Sequence, residues 1–229
     1  MFPLQAAATL YIMAVAPNFD PNNPDPATAM KVFSVQLPLA IAALLSSSSI
    51  AVGWHRYILK DEIPQGWARL RLDATVLRYV GNLILLTLLL MGIFLLPAFL
   101  VVMISATMGQ AALVLVVPIV AVLFVATFRC SIKFPAIALD RKDFGFKDAW
   151  RLTEGNNWQI LGLVAIVLCV ALIAGLVVAL LALPFRYLPG DFSFITVLAM
   201  QFVVNWIMTI FSVTILTSLY GFYAENRSF

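Results

Sequence analysis

Residues 80 to 128 read VGNLILLTLLLMGIFLLPAFLVVMISATMGQAALVLVVPIVAVLFVATF, a run without one charged side chain. A hydrocarbon core about 30 Å thick is crossed by about 20 apolar residues in a helix, so this run is roughly twice as long as one crossing needs. It must turn back once. The turn falls at SATMGQ, residues 105 to 110, where small and polar residues gather.

Three more stretches repeat the pattern on either side. No ionisable side chain except His55 lies between Lys31 and Arg56, and no charge lies between Glu154 and Arg186 or between Asp191 and Glu225. The chain is 63% hydrophobic and 11% charged, with a mean hydropathy of +1.01. Soluble domains carry about a quarter charged residues, so this is an integral membrane protein. Five spans are expected, at 32–53, 80–105, 111–128, 158–184 and 194–220. Each is helical, because backbone in lipid must satisfy its own hydrogen bonds and the alternation of a barrel strand is absent. The fold class is therefore all-α, one polytopic transmembrane helix bundle over residues 1–229.

The N-terminal FPLQAAATLYIMAVA, residues 2–16, is apolar but short, and the turn-forming PNFDPNNPDP that follows ends any helix there. A short sixth span is the preferred reading, with an interfacial helix as the alternative and the natural reading frame expected to begin further upstream. A signal sequence fits poorly, since no basic region leads it and Pro17 follows the small-residue site.

Charge orients the bundle. The first long loop carries Arg56, Lys60, Arg69, Arg71 and Arg78, and the second carries Arg129, Lys133, Arg141, Lys142, Lys147 and Arg151. Lys31 and Arg186 fall on the other side. Lys and Arg are enriched in cytoplasmic loops, so both long loops and the C-terminus with Arg227 are expected in the cytoplasm. Acids nearly balance bases in these loops, leaving a net charge of only +3. That mixture suits lipid headgroups or a protein partner and excludes a nucleic-acid surface. Cys130 and Cys169 sit in separate spans and do not read as a disulfide.

The second loop holds DRKDFGFKDAWRLTEGNNW, residues 140–158. As a helix from Phe144 to Glu154 it places Phe146, Ala149, Trp150 and Thr153 on one arc and Lys147, Asp148, Arg151 and Glu154 on the other. That pattern predicts a short amphipathic helix in the interface, N-capped by Asp143 and stopped at Gly155, with Asn156 or Asn157 capping the next span. Trp150 and Trp158 are the expected anchors at headgroup depth. The first loop repeats the order more loosely, with GWHRYIL at 53–59, Trp67, and Asp73 as the cap of span two. The parallel hints at a duplicated helical hairpin.

The segments AVGWHRYILKDE, FPAIALD and AWRLTEGNNWQIL resemble a group of uncharacterised multi-span proteobacterial membrane proteins. That group shares a Trp-His-Arg exit and a Trp-Arg-x-Thr-x-Gly-Asn loop. A more distant resemblance is to the membrane domain that accompanies some glycerophosphodiester phosphodiesterases. It covers roughly residues 45–175, with Phe134 where the group commonly has Leu. It implies a bacterial inner-membrane location and transfers no catalytic residue.

Chemistry-bearing motifs are otherwise missing. His55 is the lone histidine, without a Cys or carboxylate at ligand spacing, so no metal or cofactor site is expected. No nucleophile elbow, phosphate loop, dinucleotide fingerprint or zinc-protease motif occurs. His55, Arg56, Trp150, Arg151 and Trp158 are candidates for contact with lipid headgroups or a partner. Within the spans, Gln201, Asn205, Thr209 and Ser212 share one face of the last helix. Such a stripe either binds helices together, at about 1 kcal/mol per hydrogen bond, or lines a small polar cavity. Ser49 with Gly53 and Ala171 with Gly175 offer small-residue faces for helix pairing or a homo-oligomer. Pro97 and Pro118 are expected to bend spans two and three, and bends facing each other open a crevice. The reading is a membrane protein without intrinsic catalysis, serving as an accessory subunit or a lipid-interacting component. Its rival is a channel or transporter for a neutral or lipid-like solute.

Overall fold

The computed structural model describes residues 25–63, 70–109, 114–187 and 192–227. Expectations for residues 2–16 and Trp67 lie outside them. The described residues are helical, with no strand among them. Five helices are long and apolar enough to cross a membrane, and the chain is a multi-pass membrane protein.

Helix α1 (Pro26–Lys60) opens with Pro26 at a position that needs no N–H, while Asp25 accepts from the Thr28 amide at 3.0 Å. It starts six residues before the expected boundary and continues through Gly53 to Lys60. Helix α2 (Ala74–Met108) is capped by Asp73, whose carboxylate accepts from the Val76 amide at 3.1 Å, as its sequence position implied. The break in the long apolar run comes at Gly109, whose φ of +58° only glycine adopts without strain. Helix α3 (Val116–Ser131) starts later than residue 111. Pro118 consequently falls in its first turn, where a missing N–H costs nothing, and it does not bend the helix as expected. Pro97 does lie in a helix interior.

Two short helices occupy the second long loop, α4 (Lys133–Ala138) and α5 (Phe146–Leu152). Helix α4 has no counterpart in the sequence reading, which ran FPAIA as loop. Its Phe134, Pro135, Ala136, Ile137 and Ala138 are all buried. Helix α5 is shorter than the expected 144–154, and Asp143 is not its cap. Gly145 takes that place, with its amide donating to the Asp148 carboxylate at 2.8 Å. Gly155, at φ +83°, stops the chain before α6 (Asn157–Ala182). The last helix is α7 (Phe192–Glu225).

Packing is cyclic. Helix α1 touches α2, α2 touches α3, α3 touches α6, α6 touches α7, and α7 returns to α1. Helix α4 packs inside the loop end of this five-membered ring, against α1, α2 and α7, and α5 lies against α3. The core is concentrated there. One cluster joins Val52 of α1, Tyr79 and Leu86 of α2, and Phe134 and Ile137 of α4. A second joins Leu59, Ile132, Ala136, Ala149 and Tyr220. Among the described residues, only Val101 is buried in α2 beyond Leu86, and none of α6 is buried between Val164 and Ala182. Apolar side chains gain little from leaving acyl chains for one another, so the loop end is packed like a soluble core while the far half is left open.

Candidate functional site

The loop end is bound by polar side chains that rise from the ends of the spans. Arg56, one turn from the end of α1, donates to Glu62 at 2.7 Å, to Asp140 at 2.9 Å and to the Ala138 carbonyl at 3.0 Å. Arg71 links Glu62 at 2.9 Å to Asp73 at 2.8 Å, and its amide donates to Ser49 Oγ at 2.6 Å. Asp140 sits at φ +60° and accepts from the Thr75 hydroxyl at 2.9 Å. The hydrogen bond from Arg56, then that from Arg71 and their charges, holds Glu62 below the usual carboxylate range. For Asp140 desolvation pushes upward, but Thr75, Arg56 and the charge of Arg78 outweigh it and the net direction is down. The first and second long loops are thus one lattice.

Arg129 is 4% exposed at the end of α3. Its guanidinium donates to Thr153 Oγ1 at 2.8 Å, Asn157 Oδ1 at 2.9 Å and the Trp150 carbonyl at 2.6 Å, and lies 3.9 Å from the centre of the Trp150 ring. No carboxylate among the described residues forms an ion pair with it. Three oxygens and an aromatic face take that place. The residues Trp150, Thr153 and Asn157 are therefore a cradle for Arg129, a role that their own segment does not reveal. The signal was on the other side: a lone Arg directly after a long apolar run.

The expected contact residues divide accordingly. His55 is fully buried instead of meeting headgroups, with Nδ1 2.8 Å from the Thr217 hydroxyl. Arg56 is consumed by the lattice. Trp150 is 43% exposed with one face covered by Arg129, Arg151 is exposed, and Trp158 is 82% exposed at the start of α6. The last two, with the free edge of Trp150, are those of the expected contact residues that remain open to a membrane or partner.

The far half holds a cleft of about 260 Å³ between α2 and α3. Leu90, Phe94 and Pro97 form one wall, and Pro118, Val122 and Ala126 the other. The two prolines thus do face a common crevice, although only Pro97 interrupts a helix. The cleft has no ionisable lining and sits within the spans, so its chemistry is that of hydrocarbon. Gln201, Asn205, Thr209 and Ser212 are exposed and do not bind α7 to its neighbours. Thr209 donates to the Asn205 carbonyl at 2.7 Å and Ser212 to the Met208 carbonyl at 2.8 Å, within their own helix. A groove of about 470 Å³ between α6 and α7 includes Phe222, which is 59% exposed, and continues the outer surface.

Comparison with protein families, curated proteins and solved structures finds no match for this chain.

Proposed function

We propose that the chain is a lipid-interacting component of the bacterial inner membrane, with both long loops and the C-terminus in the cytoplasm and no catalysis of its own. The apolar cleft between α2 and α3 carries the reading. A solute that leaves water has no hydrogen bond to gain there, whereas an acyl chain fills the space without losing one. The loop end supports it in a second way. Arg56, Arg71, Glu62 and Asp140 are engaged in holding loops together, and Trp158 and Arg151, which face outward, are of the kind that settle at a headgroup layer.

The test is extraction into polymer discs followed by mass spectrometry of the intact particle. A lipid held at a fixed stoichiometry through exchange into lipid-free detergent supports the reading. A stoichiometric protein with no retained lipid makes the chain an accessory subunit instead, with the exposed Trp150 and Arg151 face as the contact to mutate first.

A further inference from the structure

The polar stripe of α7 has a partner face in the fold. Asn205, Thr209 and Ser212 stand eleven residues, about three turns, before Leu216, Tyr220 and Tyr223, so each pair shares a direction. Leu216 packs on the first core cluster, and Tyr220 and Tyr223 belong to or pack on the second. The stripe therefore continues the inward face of α7 into the half of the bundle that is open. In the cyclic order of helices, α7 stands opposite the seam of α2 and α3. The depths agree as well. Gln201 lies about 14 Å from the far end of α7, and Pro97 about 17 Å from the far end of α2.

One wall of the open half is thus hydrocarbon and the facing wall carries two carboxamides that find no hydrogen bond among the described residues. Unpaired amides at this depth call for a hydrogen-bonding guest. Resting on the lipid reading above, we propose that the open half binds one lipid whose acyl chain lies in the α2–α3 cleft and whose uncharged, hydroxyl-bearing head meets Gln201 and Asn205. Carboxamides donate and accept, as a hydroxyl does. A phosphate would need a cation beside it, and neither the cleft nor the stripe provides one.

Photocrosslinking in discs tests this, with diacylglycerol and phosphatidylglycerol probes that carry the same diazirine acyl chain. The expected result is crosslinking to the peptides of residues 90–97 and 118–126, favouring diacylglycerol by about fivefold, the worth of one interhelical-type hydrogen bond. The preference should vanish in Gln201→Leu/Asn205→Leu while cleft labelling persists, and should survive in Asn205→Gln. Equal labelling by both probes, unchanged in the double variant, overturns the head-group assignment and leaves the cleft reading standing. Labelling no stronger in the cleft than at Leu172 and Leu176 on the exposed surface of α6 removes both.

Discussion

His55 Nδ1 lies 2.8 Å from Thr217 Oγ1, a hydrogen bond that joins the first and last spans inside the core. The Thr217 hydroxyl donates to the Val213 carbonyl at 2.7 Å, so it accepts from the imidazole, and the proton sits on Nδ1. Nε2 is then a buried lone pair without a partner among the described residues. Thr217→Val should leave the imidazole N–H unpaired as well and cost about 1–3 kcal/mol. His55→Leu/Thr217→Val should recover part of that loss, because both polar groups are gone. Thermal unfolding in detergent reads both variants, and a double variant no better than Thr217→Val would contradict the bonded pair.

The spans were legible in the sequence because length and hydropathy alone decide whether a helix can cross lipid. Boundaries drifted outward at α1 and α7, where helices run on past the hydrocarbon and composition no longer constrains them. The apolar FPAIA was illegible as a core plug: it lies in a loop marked by Arg129, Lys133 and Arg141, and only α1, α2 and α7 closing around Phe134 to Ala138 make these residues buried. The Pro97 and Pro118 crevice was readable in place but not in cause: both residues line it, yet α3 begins at Val116, so Pro118 lies in a first turn and only Pro97 sits in a helix interior. The inward direction of the α7 stripe was not, because a polar face on a membrane helix looks alike whether it meets a neighbour or an opening.

The cradle of Arg129 predicts a graded response. Thr153→Val removes one acceptor from a buried guanidinium and should cost about 1–3 kcal/mol. Trp150→Leu removes the aromatic face and should cost about 1 kcal/mol. Since the same contacts hold α5 against α3, both variants should speed proteolysis within residues 140–156 before the spans unfold. Cleavage of this segment at the wild-type rate would show that the cradle does not hold α5.

Asp140 sets the acid limit of the loop end. Its folded pKa is depressed, so its contribution to stability is full above the unfolded value near about 4 and is lost as pH falls through the folded value. Asn keeps the left-handed backbone comfortable, so Asp140→Asn removes the charge without adding strain. The variant should melt earlier than the wild type at neutral pH and show a flatter decline as pH falls below about 5 and through the folded pKa. Parallel curves for the two proteins would mean that the Arg56 and Thr75 contacts do not stabilise the ionised form.

The threading is open to a direct check. Ala27 is exposed in the first turn of α1 and Lys142 is exposed in the second long loop, at opposite ends of the bundle. In a Cys169→Ser background, with Cys130 buried, Ala27→Cys should react with an impermeant thiol reagent on intact cells and Lys142→Cys only after permeabilisation. The reverse pattern would invert the assignment made from Lys and Arg, and labelling of both from one side would break the odd number of crossings between them.

Pro97 shapes the cleft more than Pro118 does, because it alone sits in a helix interior, where its ring pushes on the carbonyl of Ile93 and removes one backbone hydrogen bond. Pro97→Ala restores that bond and lets α2 straighten toward α3. Pro118→Ala changes a first-turn residue whose N–H has no helical acceptor, so the path of α3 should hold. Lipid retained by the purified protein should therefore fall in Pro97→Ala and stay near the wild-type amount in Pro118→Ala, while Pro97→Ala melts no earlier than the wild type. Equal retention in all three proteins would separate lipid binding from the cleft and move the search to the outer surface of the ring.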